Sequence, residues 1–197
     1  EIQETEFGAD VAGQRTLSAS KIYSDDASSW TVQIRLIDED AGISDWLTLG
    51  AVSVRNVTPT ATIDSIGAQR KEGLSVTVQG LATDPAGTSD PLTFAWLAYR
   101  GAGSTPVASL SGINEFEFSF TPEDDGGYRI ELVVTDGDGG SQSVSQTVQI
   151  DNQAPVVSIQ SISSPREDGR ELSAVGTATD AGGSHDPLTY SWSAFVE

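Results

Sequence analysis

Two acidic turns hold the side chains in this sequence best suited to chemistry. One runs from Asp84 to Asp90 as Asp-Pro-Ala-Gly-Thr-Ser-Asp, and the other is Asp136-Gly-Asp138. Asn56 stands in a short polar stretch ahead of both. Calcium takes about six to eight hard oxygen ligands at ~2.3–2.6 Å, carboxylates and carbonyls together. The Gly and Pro residues beside these Asp residues let carbonyls turn inward. Asn56, Asp84, Asp90, Asp136 and Asp138 therefore form a candidate calcium set, provided the fold brings three distant segments together. A second set, Asn152, Asp180 and Asp186, follows the first at an offset of 96 residues. Its remaining turn would be Asp38-Glu39-Asp40, supplied by a partner chain. Glu123, Asp124 and Asp125 are expected to face this second set. The competing reading is that Asp-Gly turns form for backbone reasons alone. No strict D-x-[DN]-x-[DN]-G loop is present.

Other chemistry is excluded. His185 is the sole histidine and there is no Cys, so neither a catalytic triad nor a zinc site is available. No G-x-S-x-G, phosphate loop or dinucleotide fingerprint occurs. Paired carboxylates are plentiful but sit in turns rather than a cleft, which argues against a glycosidase. Asn56-Val-Thr58 fits a glycosylation acceptor, although Pro59 follows it. The chain reads as a non-enzyme.

The elements that must position the acidic residues come from an internal repeat. Ala82 to Trp96 returns as Ala178 to Trp192, with nine of fifteen positions identical. Trp30-Thr-Val-Gln-Ile-Arg-Leu-Ile-Asp38 alternates with a period of two, which puts one face in a core. It returns as Tyr128-Arg-Ile-Glu-Leu-Val-Val-Thr-Asp136 at an offset of 98, which drops to 96 after the turn. The first copy thus has two extra residues, placed near Asp45-Trp46-Leu47. Asn56-Val-Thr-Pro59 and Asn152-Gln-Ala-Pro155 read as linkers. Between them, strands are expected near 60–66, 74–82, 92–98, 106–110, 115–120, 128–135 and 143–151. Seven short strands over ~95 residues predict an all-β, two-sheet Greek-key sandwich. Trp96 anchors its two sheets, and Tyr128 is placed as a corner tyrosine. In that strand order the turns at Asp84–Asp90 and Asp136–Asp138 share one pole with the linker at Asn56.

The expected division is tandem sandwiches. Residues 1–56 are the C-terminal half of a repeat, 57–152 a complete repeat, and 153–197 an N-terminal half containing three strands. Glu1 to Gly13 reads as a loop around Gly8, Ala9, Asp10 and Gly13, with a strand within Leu17 to Tyr23. The first residue is Glu1 and no signal peptide is visible, so the chain is expected to be a piece of a longer one. A half sandwich cannot bury its apolar face and leaves strand edges unpaired. Residues 153–197 of one copy could close on 1–56 of another, giving a head-to-tail filament or a reciprocal dimer. The rival is a fragment of a longer array.

Ten Lys+Arg against 29 Asp+Glu give a net charge of −19. That surface repels phosphate backbones and anionic lipid, so nucleic acid and membrane surfaces are poor partners, whereas divalent cations are attracted. No apolar run reaches the ~18 residues a membrane span needs.

Asp90-Pro-Leu-Thr-Phe-Ala-Trp96, Tyr128 through Asp136-Gly-Asp-Gly-Gly140 and Asn152-Gln-Ala-Pro155 resemble PKD-type and other bacterial immunoglobulin-like, cadherin-like tandem repeats. The usual Asp-Phe-Gly-Asp-Gly run after the PKD Trp is replaced by Leu-Ala-Tyr-Arg-Gly101. The resemblance implies an extracellular or cell-surface structural and adhesive module. Its alternative is a polysaccharide- or protein-binding accessory module of a secreted hydrolase. Glycan binding would need an exposed aromatic platform, for which Trp46 is the candidate.

Overall fold

The computed structural model describes residues 3–5, 18–23, 25–163 and 167–195. The strands are β1 (Gln3–Thr5), β2 (Ser18–Ser20), β3 (Ala27–Ile34), β4 (Leu47–Val54), β5 (Thr60–Ile66), β6 (Val76–Thr83), β7 (Thr93–Arg100), β8 (Ala108–Ile113), β9 (Glu117–Phe120), β10 (Gly126–Thr135), β11 (Ser141–Ile150), β12 (Val156–Ile162) and β13 (Ala174–Thr179). A 3-10 turn, Gly87–Ser89, sits between β6 and β7. β1 and β2 pair with each other, so the expected N-terminal loop contains a strand at Gln3–Thr5. Its glycine-bearing part, Gly8 to Gly13, lies outside the described residues.

Strands β5 to β11 form the expected all-β sandwich. One sheet has the order β5-β6-β9 and the other β11-β10-β7-β8, with every neighbouring pair antiparallel. The chain changes sheet between β6 and β7, β8 and β9, and β9 and β10. On β10, Tyr128, Ile130, Leu132 and Val134 alternate inward and are buried, while the residues between them are half-exposed. That is the period of two read from the sequence.

Trp96 is fully buried, stacks on Phe118 with ring centroids 5.8 Å apart, and donates its indole N–H to the Glu115 carbonyl at 2.8 Å. Its ring lies directly over Gly80 on β6. A Cβ built there would stand 2.6 Å from Trp96 Cζ2 and 2.9 Å from Leu132 Cδ2. Tyr128 is the expected corner tyrosine, and its hydroxyl donates to the Asp124 carbonyl at 3.0 Å. Burial pushes its phenol pKa up, so it stays a donor.

The flanking segments reproduce parts of this module. The β12–β13 register, Val156↔Thr179, is that of β5–β6, Thr60↔Thr83, shifted by 96. The irregularity at Ile63/Ser65 recurs at Ile159/Ser161. β3 and β4 pair like β10 and β11, Trp30↔Val52 matching Tyr128↔Val148. The two extra residues are not both where the sequence suggested. One falls between the bridge Ile37↔Ile43 and the pair Ile34↔Leu47, and the other is Leu49, bulged between the pairs Val32↔Gly50 and Gln33↔Thr48.

The expected third strand of the last repeat does not form. Residues 187–195 have no strand assignment, and Trp192 is 60% exposed where Trp96 is 0% exposed. In the middle module β7 is held between β10 and β8. A single chain gives 187–195 neither neighbour.

Gly80→Ala places a methyl where Trp96 and Leu132 already fill the space. Overpacking of this kind costs about 1–3 kcal/mol, so the urea midpoint of unfolding is expected to fall. An unchanged midpoint would show that the gap between the sheets is loose.

Candidate metal centre at the module joints

The leading joint lies where the segment ending at Asn56 meets the middle module. In the turn after β6, the Asp84 side chain accepts from the Ala86 N–H at 2.7 Å, and Gly87 takes a φ of +61° that favours glycine. The 3-10 turn then delivers Asp90, only 2% exposed, to the turn after β10, where it accepts from the Gly137 N–H. Asp136 is 5% exposed. One of its oxygens accepts from the Gly140 N–H at 2.6 Å and the other from Asn56 Nδ2 at 2.9 Å. That bond leaves Asn56 Oδ1 free of this contact.

Three distant segments thus meet at one pole. Asp84, Asp90 and Asp136 each offer an oxygen within 4.8 Å of the others, and so do Asp25, Asp90 and Asp138. Oxygens bound to one calcium at ~2.4 Å lie at most ~5 Å apart, so both groups have a ligand's spacing. The Oδ2 atoms of Asp84 and Asp90 are buried without a hydrogen-bond partner. A buried anionic oxygen with nothing to compensate it is unfavourable, and a hard cation supplies what is missing.

Asp25 and Asp26 were missed from the sequence. They immediately precede β3 as Asp124 and Asp125 precede β10, and the turns match: Asp26 N–H to Asp25 Oδ1 and Asp125 N–H to Asp124 Oδ1 both measure 2.9 Å. The repeat offset of 98, applied to Glu123 and Asp124, lands on Asp25 and Asp26.

The trailing joint, between the middle module and residues 153–195, is organised differently from expectation. Asp180 and Asp186 are half-buried and come together with Glu72, a residue the sequence reading omitted. Asp124 and Asp125 also meet Glu72. Asn152 is exposed on the linker. Asp38 and Asp40 stand exposed at the tip of the β3–β4 hairpin and join no acidic group among the described residues. Their turn is nevertheless preformed: the Gly42 N–H donates to Asp38 at 2.6 Å, as Gly140 does to Asp136. Asp180 likewise accepts from the Gly182 N–H at 2.9 Å, as Asp84 does from Ala86.

Residues 56–151 match the family described as bacterial Ig domain. The middle module is a bacterial Ig domain. The matched span begins at the linker residue Asn56 and ends at Asp151, just before the next linker. No curated protein matches the chain significantly. Bacterial Ig domains are general extracellular or surface modules and typically non-catalytic. Among the described residues no helix is long and apolar enough to cross a membrane.

At the leading joint of this Ig domain the Asp138 carboxyl is pushed up to about 6, first by its hydrogen bond with the Asp26 carboxyl, then by desolvation and the charges of Asp26, Asp90 and Asp25. A carboxyl raised on folding binds its proton more tightly in the folded state. Without metal, the Asp26–Asp138 contact is therefore strongest below the ordinary value of 3.8 and is lost as pH rises through about 6. An NMR titration of metal-free protein should give Asp138 a midpoint near 6, and Asp26→Asn should move it down towards 3.8. A midpoint unchanged by Asp26→Asn would refute the Asp26 hydrogen bond as the cause.

Proposed function

We propose that the chain is a non-enzymatic structural segment of a bacterial secreted or surface protein, with a leading joint stiffened by calcium. The supporting observation is the pair of buried, unpartnered oxygens of Asp84 and Asp90 beside the Asp136 carboxylate. Asn56, Asp84, Asp90, Asp136 and Asp138 are the proposed ligands, joined by Asp25 from the preceding segment. Because they come from both sides of the joint, a bound cation fixes the angle between the segments and neutralises their clustered charge. Calorimetric titration with calcium is expected to give a dissociation constant of ~10⁻⁴–10⁻³ M, as in extracellular modules. The melting temperature in calcium should exceed that in chelator, and Asp90→Asn should remove most of that rise. Identical melts in calcium and chelator would overturn the reading.

A second reading concerns assembly, and it is favoured by two open apolar faces. Ile34, Leu36 and Leu47 on the first hairpin are exposed, as are Val156, Ile159 and Trp192 on the last segment. The counterparts of Ile34, Leu36 and Trp192, which are Leu132, Val134 and Trp96, are fully buried. The middle module supplies the template, because Leu132 faces Trp96 and Val134 faces Phe94 across β10 and β7. We propose that Trp192 and Tyr190 of one copy lie opposite Ile34 and Leu36 of another, completing a sandwich in a filament or reciprocal dimer. Asp38 and Asp40 would then arrive at the trailing joint beside Asn152, Asp180 and Asp186. Sedimentation should show mass rising with concentration, and Trp192→Ser should abolish the rise. A monomer at every concentration would end this reading.

A glycan-binding accessory role has weaker support. Trp46 is 55% exposed, but the Arg35 guanidinium lies 4.6 Å over its ring and covers one stacking face.

A further inference from the structure

We infer that the trailing joint holds a second cation site, centred on Glu72 and completed by two modules within one chain. Glu72 lies in the loop between β5 and β6 and is 0% exposed. Its backbone is pinned on both sides: its N–H donates to the Asp151 carbonyl at 3.2 Å and the Gly73 N–H donates to the Pro122 carbonyl at 2.8 Å. The carboxylate is therefore delivered to a fixed place by main-chain bonds. Oε1 accepts from the Gln153 N–H at 2.7 Å, while Oε2 is buried with no partner. Neither described ion pair, Arg100–Asp124 or Arg129–Glu131, includes Glu72.

Acidic groups from two other segments gather at the Glu72 carboxylate. Asp180 and Asp186 bring carboxylate oxygens within 4.8 Å of Glu72 and of each other, and Asp124 and Asp125 form a second such group with Glu72. Asp124 is the weakest candidate ligand, because one oxygen pairs with Arg100 and the other accepts from the Asp125 N–H. Asp180 spends one oxygen on the Gly182 N–H and keeps the other. The next module's turn is seated against the middle one: a Cβ on Gly73, whose φ is +71°, would stand 2.8 Å from Ala181 Cβ. An all-oxygen set of three or four carboxylates selects a hard divalent ion of the calcium type over softer metals. Glu72 is common to both acidic groups and its Oε1 holds the Gln153 N–H, so a cation there ties the linker, the middle module and the next turn into one unit.

This site shares no residue with the leading joint, so either can fail alone. The test is calcium calorimetry and melting on the full chain in five forms: unaltered, Glu72→Gln, Asp186→Asn, Asp84→Asn with Asp90→Asn, and that double change with Glu72→Gln added. The Asp84/Asp90 form should keep one binding event, and the form with Glu72→Gln added should lose it. Asp186→Asn, in a half-exposed turn, should weaken the same event by about tenfold or more, since affinity follows ligand charge. In chelator, Glu72→Gln should leave the melting temperature equal or higher, because a buried like-charge cluster is relieved; in calcium it should melt lower than the unaltered chain. The inference is overturned if the Asp84/Asp90 form binds no calcium, or if Glu72→Gln leaves number and affinity unchanged. It is also overturned if Glu72→Gln melts higher in both media. Loss with Glu72→Gln but none with the Asp84/Asp90 form would instead sink the leading-joint reading and leave this one standing.

Discussion

The seating of Trp96 on Gly80 is the contact on which the rest of the structure depends. It joins β7 of one sheet to β6 of the other, with Leu132 of β10 in the same layer. The separation of the sheets is set there, and with it the separation of the turns that leave β6 and β10. Asp90, just ahead of β7, then accepts from the Gly137 N–H just after β10, its neighbour in the same sheet. The sequence keeps this arrangement in the last segment, where Gly176 faces Trp192 even though the ring is mostly exposed.

A chain with a net charge of −19 has to put its acids somewhere. Many are at loop tips, solvated and unremarkable in energy. Those at the two poles differ, because backbone N–H groups hold them in place first. Asp38, Asp84, Asp136 and Asp180 each accept a main-chain N–H from their own turn. This holds in complete and incomplete modules alike, so these local turns do not depend on finishing the sandwich. Local hydrogen bonds aim the carboxylates, and tertiary packing decides which of them meet.

Most of the middle module was legible because its strands are amphipathic with a period of two and are punctuated by Gly, Pro and Asp. The expected strand at 60–66 is Thr60–Ile66, and the expected 128–135 is extended only to Gly126. Convergence of Asn56, Asp90 and Asp136 followed from strand parity, which needs only the order of elements. Glu72 escaped because a Glu in a Lys- and Glu-bearing loop reads as solvated. It is held and covered by long-range contacts, among them the parallel bridge Lys71↔Asp151 and the Gln153 N–H on its carboxylate. The missing strand at 187–195 escaped for the opposite reason. Its sequence matches β7 well, but a strand is defined by neighbours, and sequence similarity does not provide them. The bulge at Leu49 was misplaced because an offset count locates an insertion only to within the hairpin.

The short parallel bridge at Lys71 and Asp151 also bears on mechanics. The Asp151 N–H donates to Arg70 and its carbonyl accepts from Glu72, so the outgoing linker is laced alongside the first loop. Tension applied along that linker runs across these bonds and loads them together, in shear. They cannot be peeled one at a time from a free end. A polypeptide cable built on this plan would resist pulling at its knots, and the strands between the knots would carry load only after those had slipped.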